Sequence, residues 1–481
     1  MKNIKKIAVV ILMGLIASCS SDSDNNNIEG PGENSGPSQQ EIILPKEMRA
    51  VWLTTVWELD WPQQKYNEIA QKKMYIDYLD EFAKFNINTV FVQVRSMADA
   101  FYESKYEPWS KNITGERGKA PNYDVMKFMI EEAHKRELEF HAWINPYRIA
   151  TRANQTDAFP PLLMDIDKKM YIDCQKIRVY NPARPEVRER LKNIIEEIIT
   201  NYDIDGIVMD DYFYPSLESG EKFLDDEDFK ELGTPNQTIE QFRFANVNEM
   251  VKTIHELIVS KKPELSFTIS PQGNAANNQG IYADVEKWCK EGLLDFVMPQ
   301  LYYQMTDFNN WTSYWSRYSY EAIPMVAYGI YNMGKPNYPA ELLDQQFNTI
   351  KRYPRYQGAS FYSAKYFTTE KVEAVLNIIK KQFNRPALIP HNGREVIPRP
   401  NTPRELELVG NTLKWNSGNG NYRFAIYRVE PDLYNAKKVI AELVAITKDK
   451  SHEITKPGKY YITAINENNH ESELSDPIQK K

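Results

Sequence analysis

Histidine and cysteine are scarce, with six His and three Cys in 481 residues. Neither HExxH nor CxxC occurs, so a zinc hydrolase or a zinc ribbon has little to build on, and no metal or other cofactor is expected. Cys174 and Cys289 form one candidate pair, which is not a disulfide framework. No G-x-G-x-x-G follows the first strand-like run, which weighs against a dinucleotide fold. An excess of basic charge is also missing. The 59 Lys and Arg against 66 Asp and Glu leave a net charge of -7, which argues against a nucleic-acid footprint. The N-terminal apolar run, residues 7–17, stops well short of the ~20 residues that span a bilayer. What remains is the balance of a soluble globular protein, 42% apolar and 26% charged, long enough for two domains plus tails.

Lys2, Lys5 and Lys6 precede that apolar run, as the charged region of a secretory signal does. The run ends Ile16-Ala17-Ser18-Cys19. Small residues before a cysteine resemble a bacterial lipobox, so residues 1–19 are expected to be a lipoprotein signal with Cys19 the lipidated residue. Residues 20–44 are rich in Asn, Ser, Gly and Pro and read as a flexible tether. The expectation is an exported outer-membrane lipoprotein, periplasmic or surface-facing, held to the membrane by its lipid anchor. A second low-complexity stretch, residues 386–404, carries Pro386, Pro390, Pro398, Pro400 and Pro403. Beyond it, residues 405–481 alternate apolar and polar positions in short runs, as half-buried strands do. Their last strands resemble a fibronectin type III sandwich.

Residues 45–385 alternate strand-like and helix-like runs. Eight strands are expected, at 49–55, 89–95, 139–146, 205–211, 266–273, 295–303, 325–331 and 358–366. Between them, residues 185–200 place Leu191, Ile194, Ile195 and Ile198 on one helical face. Residues 124–137 run from an acidic start to a basic end, and 369–383 open on a Thr. Such alternation argues for a parallel sheet covered by helices, and eight units argue for closure into a (β/α)₈ TIM barrel followed by a small all-β sandwich.

The polar residues gather at the strand ends: Arg95, then Asn145 to Arg148, Asp210 to Tyr212, Ser270 to Asn274, and Gln300 to Tyr302. In a (β/α)₈ barrel these ends surround one mouth, where active sites lie. Helix N-caps would account for Asp, Asn and Ser there, but not for Gln, Arg and Tyr. Asp210 and Asp211 are the candidate catalytic pair. Two adjacent carboxylates in one pocket raise at least one pKa, and a protonated acid beside an ionised one is what glycosidic cleavage needs. Asp99 is a third carboxylate, and Arg95 could orient an acid. A metal cluster of Asp99, Asp210 and Asp211 is a weaker reading, because neutral Asn, Gln and Tyr suit a sugar better. Asn145, Gln272, Asn274 and Gln300 offer both donors and acceptors to hydroxyls. Trp143, Tyr147, Tyr212, Tyr214, Tyr302 and Tyr328 are candidate stacking platforms. His141 reads as a hydrogen-bonded barrel residue. Glu58 and Asp60 read as rim residues.

At these residues the chain resembles the glycosyl-hydrolase-like family 10 proteins, formerly a domain of unknown function. The matching segments are MRAVWLTTV (48–56), FVQVRSMADAFYES (91–104), FHAWINPYR (140–148), GIVMDDYFYP (206–215), TISPQGN (268–274), MPQLYY (298–303) and YGIYNMG (328–334). The resemblance implies a (β/α)₈ barrel and glycoside hydrolase activity. Asp210 and Asp211 would be the acids, with Arg95, Asn145, Gln272 and Gln300 in the sugar site. Some relatives cut peptidoglycan glycan strands stripped of peptides. One departure is Glu137, where the family's helix end leads one to expect Gly. The reading is therefore an envelope-anchored glycoside hydrolase acting on a polysaccharide or oligosaccharide. A non-catalytic surface glycan-binding lipoprotein is the alternative from another class, and a metal-dependent carbohydrate esterase a weaker third.

Overall fold

The computed structural model describes residues 40–217, 222–394, 397–466 and 469–481. The expected signal, Cys19 and most of the expected tether lie outside the described residues. The first large unit is a barrel of eight parallel strands: β1 (Met48–Leu53), β2 (Thr89–Arg95), β3 (Glu139–Ile144), β4 (Gly206–Met209), β5 (Ser266–Ile269), β6 (Phe296–Val297), a split β7 (Ile323–Pro324 and Val326–Tyr328) and β8 (Gly358–Tyr362). Each strand pairs with its neighbour in order. Closure runs through the split strand: its first half pairs with β6, its second with β8, and β8 pairs with β1. All eight strands fall within, or within a residue or two of, the expected stretches.

Side-chain alternation sorts each strand into two faces. Met48, Ala50, Trp52, Phe91, Trp143, Val208, Phe296, Met298, Met325 and Ala327 fill the barrel interior. Val51, Leu53, Val90, Val92 and Ile207 belong to the larger core that lies under the helices. Burial on both faces is why these strands read as near-continuous apolar runs.

The covering helices are α1 (Glu68–Ala83), α2 (Val125–His134), α3 (Pro185–Asn201), α4 (Ile239–Lys261), α5 (Val285–Lys290), α6 (Met305–Tyr318), α7 (Glu341–Ile350) and α8 (Glu373–Gln382). Pro185 opens α3, where a missing N–H costs nothing, and Leu191, Ile194, Ile195 and Ile198 are buried along it. The Asp124 side chain caps α2 by accepting from Lys127 N at 3.0 Å. Just past the end of α2, Glu137 adopts φ 58°, the left-handed conformation that favours the expected glycine. α8 begins later than its expected start, because Thr369 precedes a 3₁₀ turn at Glu370–Val372 and makes no side-chain cap.

Between β3 and α3 the chain makes an antiparallel excursion of three strands, Arg148–Thr151, Tyr171–Cys174 and Ile177–Tyr180. Cys174 is buried there and Cys289 in α5; no disulfide joins them. The Pro-rich stretch straps the base of the barrel: Arg394 Nη2 meets Asp295 Oδ2 at 2.7 Å, and Lys46 bridges to Leu388.

The C-terminal unit is a sandwich of two antiparallel sheets. One holds Arg404–Val409, Thr412–Asn416 and Ser451–Glu453; the other holds Glu442–Thr447, Arg423–Val429, Gly458–Ile465 and Ile478–Lys480. Leu413, Trp415, Phe424, Ile426 and Ile462 are buried between them. Glu41–Ile43, at the end of the expected tether, pairs in parallel with Lys438–Ile440 of this unit. A cavity of about 530 Å³ lies between the two units, lined by Glu139, Asp205 and Ser266 at the strand starts and by Arg423 and Asn469 of the sandwich. It therefore opens at the end of the barrel opposite the strand tips.

Candidate active site

β4 runs Gly206-Ile207-Val208-Met209, and Asp210 follows it directly. Val208 faces the barrel interior, so Asp210, two residues on, faces the same way. There its Oδ2 accepts from Trp143 Nε1 at 3.1 Å. Its Oδ1 accepts from Asn145 Nδ2 at 3.4 Å and from Tyr212 N at 3.4 Å. Burial pushes the Asp210 carboxyl up to about 7, helped by the charge of Asp211, against the lowering pull of Arg148, the Tyr212 N–H and Trp143.

Asp211 turns toward β6. Its Oδ1 accepts from Gln300 Nε2 at 3.1 Å, while the same nitrogen also donates to Ser270 O at 3.1 Å. Gln272 donates to Asp211 as well; burial raises this carboxyl, and the two amides and Arg148 hold it down. Bridges from Gln272 to Gln300 and from Gln300 to Ala327 carry the barrel pairing past the regular strands, which is what holds the amides at the mouth. Two carboxyls therefore share one pocket in unlike surroundings. Burial raises both; the charge of Asp211 raises Asp210 further, while the leading opposing influence on Asp211 is the Gln300 amide. That asymmetry separates an acid from a base.

Arg148 is the cation of this site. Its Nε donates to Ser96 O at 3.1 Å and its backbone N to Asn145 Oδ1 at 3.3 Å. The guanidinium lies 4.5 Å from the Tyr212 ring centre. Tyr302 is half-buried against the interior cluster, with its ring 5.9 Å from that of Tyr331, and Tyr331 stands 5.9 Å from Tyr362. The structure thus brings Asp210, Asp211, Trp143, Asn145, Tyr212, Gln272, Gln300 and Tyr302 together at the strand ends.

Six expected site residues lie apart from that group. Arg95 is wholly buried; its Nη1 donates to the carbonyls of Asn145 and Pro146, and its Nη2 pairs with Glu107 Oε1 at 3.1 Å. Alternation from Phe91 through Gln93 would aim Arg95 inward, but a bulge between Gln93 and Arg95 pairs it with outward-facing Ile144. Asp99 folds back on its own loop and accepts from Ser96 Oγ at 3.1 Å and Met97 N at 2.9 Å. Tyr147 is buried in the outer core, as are Tyr214 and Tyr328. Asn274 caps a short helix, accepting from Ala276 N at 2.9 Å. His141 is buried in β3 with Nε2 2.9 Å from Glu139 Oε2. Asp60 is buried too, accepting from Thr54 N at 2.8 Å and Ser363 Oγ at 2.8 Å. Arg148 was legible as part of the Asn145–Arg148 strand end, yet Arg95 held the role of site arginine on sequence alone. Among the described residues no cluster of three or more His, Cys, Asp or Glu could hold a metal.

The profile of the family described as "Glycosyl hydrolase-like 10" matches residues 47–346, from β1 into α7. The chain is 33% identical to "Glycosyl hydrolase YngK" of Bacillus subtilis, over 90% of this chain and 94% of that protein. It is 32% identical to "Glycosyl hydrolase DigH" of Escherichia coli, over 62% of this chain and 75% of that protein. Among solved structures, the PgaB (BpsB) glycoside hydrolase domain from Bordetella bronchiseptica aligns with a TM-score of 0.47 and 8% identity, over 71% of this chain and 98% of that domain. With its profile matched across more than half its length and a relative aligned almost end to end, the chain belongs to the glycosyl hydrolase-like 10 family.

Proposed function

We propose that this chain is a glycoside hydrolase in which Asp210 is the general acid and Asp211 the nucleophile or base. The observation that carries this reading is the Asp210 carboxyl, buried against Trp143 and Asn145 and raised to about 7 beside Asp211. At neutral pH such a group still holds a proton to give to a departing sugar oxygen. Asp211, with Gln300 and Gln272 donating to it, carries the negative charge that the opposite side of the sugar needs. Gln272 and Gln300 are placed to meet sugar hydroxyls and Tyr212 and Tyr302 to form the walls, while the buried Asn145 and Trp143 position the Asp210 carboxyl. Arg95, Asp99, Tyr147 and Asn274 act by holding the loops that carry these groups.

Relatives named as glycosyl hydrolases support the reaction class. Peptidoglycan glycan strands freed of peptide are the proposed substrate. The lipobox at Cys19 supports an envelope anchor, at the outer membrane and facing the periplasm or the surface. The sandwich, whose two antiparallel sheets fit a fibronectin type III-like topology, serves as an accessory unit.

The test is a screen of the purified chain lacking its signal against bacterial, plant and host glycans, read by product mass. Shortened glycan supports the reading. Tight glycan binding with no product from any glycan replaces it with the non-catalytic binding lipoprotein.

A further inference from the structure

Trp57 follows β1 at the mouth of the barrel and leaves 59% of its surface exposed. Its backbone sits at φ 51°, ψ 23°, and Glu58 follows at φ 54°. Two successive non-glycine residues in the left-handed region persist only where their surroundings over-determine them. Here they do. Gln93 Oε1 accepts from Thr55 N at 3.1 Å and Val56 N at 2.8 Å, and Asn112 Nδ2 donates to Thr55 O at 2.7 Å. On the far side Tyr66 OH donates to Glu58 Oε1 at 3.0 Å. The pinned turn holds a large apolar ring out in water, which folding alone does not favour.

A second observation ties that ring to the site. The Arg148 guanidinium lies 5.8 Å from the Trp57 ring centre and 4.5 Å from that of Tyr212. Arg148 is only 4% exposed, and among the described residues its Nη2 has no hydrogen-bond partner. Among the described residues no carboxylate pairs with it within 4.0 Å. One buried cation therefore serves two rim rings, each of which attracts it through its π face. Tyr212 is itself 45% exposed and follows Asp210 and Asp211 directly. Tyr212 is next to the carboxyl pair in the chain, Arg148 links Trp57 to it, and exposed aromatic rings match the flat C–H face of a sugar ring.

We infer that Trp57 and Tyr212, bracketing Arg148, form a stacking subsite that takes one pyranose ring of a glycan beside Asp210 and Asp211. The inference rests on the glycan-cleaving reading above and assigns to it residues that bind rather than react.

The test uses the otherwise intact chain carrying Asp210→Asn, titrated with peptide-free peptidoglycan glycan strands and followed by tryptophan emission and calorimetry. Saturable binding with a shift of emission to shorter wavelength is expected. Adding Trp57→Phe should abolish that shift while keeping most of the affinity. Adding Trp57→Ala should weaken binding by about 10- to 150-fold, the worth of burying one large apolar side chain, with the melting temperature unchanged. Affinity equal to the parent in Trp57→Ala overturns the subsite. So does the absence of any binding to these strands. Shortening of some other glycan by the wild-type chain would, in either case, leave the hydrolase reading standing.

Discussion

Trp143 on β3 donates its indole N–H to Asp210 at the end of β4, across 3.1 Å. The bond joins an interior packing residue to the proposed acid, and it stabilises the ionised carboxylate more than the neutral acid. Trp143→Phe keeps the ring and removes the donor. The Asp210 value should then rise further, moving the alkaline limb of kcat/KM upward by up to about one pH unit. An unmoved limb would separate Asp210 from the proton transfer.

The wild-type profile should be bell-shaped. Its alkaline limb should fall with a midpoint near 7 as Asp210 loses its proton. Its acid limb should reflect protonation of Asp211 and lie above the ordinary aspartate value, because burial raises that group too. Rates measured from pH 4 to 9 under low substrate check both limbs.

Stability should follow the same group with the opposite sign to a salt-bridged aspartate. The folded value of Asp210 is raised, so the folded chain binds more protons than the unfolded one between 3.8 and about 7. Its contribution to stability therefore falls as pH rises across that window and stays unfavourable above it. Asp210→Asn relieves this cost, by an amount on the order of a few kcal/mol. Thermal melts should show the variant gaining on wild type at pH 8 and matching it near pH 4.

Glu137 is exposed and sits at φ 58°. Glu137→Gly removes the left-handed penalty and no buried contact, so the variant should gain about 0.5–1 kcal/mol in urea unfolding. A loss of stability would show that the Glu137 side chain has a packing role.

Gly206 opens β4 with no room for a side chain. An added Cβ would lie 2.4 Å from His141 Nδ1 and 2.9 Å from Ser266 O. Gly206→Ala should cost about 1–3 kcal/mol or more by overpacking. Gly280, with nothing within 4 Å of the same position, is the matched control, and Gly280→Ala should change little. Denaturation of the two variants side by side checks the contrast.

The barrel was legible because each strand is buried on both faces and each helix on one, so both periods are printed in the residues. Asp210 was legible for the same reason, two residues beyond an interior valine. Arg95 was not, since one bulged residue after Gln93 reverses the face of everything beyond it, and no residue type announces a bulge there. Trp57 was hidden differently: it lies in a 3₁₀ turn, where backbone conformation rather than alternation sets direction. Arg148 stood in the legible polar run at the end of β3, but nothing in the residues ranked it above Arg95. The excursion between β3 and α3 escaped because its strands are only four residues long each. The Glu137 departure was readable as a missing glycine, and its φ supplies the reason glycine belongs there.

The most direct measurement is the rate at which Asp210→Asn and Asp211→Asn release products from the glycan that the wild-type chain shortens, with folding checked by thermal melt. Each substitution should lower kcat by about 10²–10⁴-fold or more. Wild-type rates in either variant would contradict the assignment of this carboxyl pair as the acid and its partner.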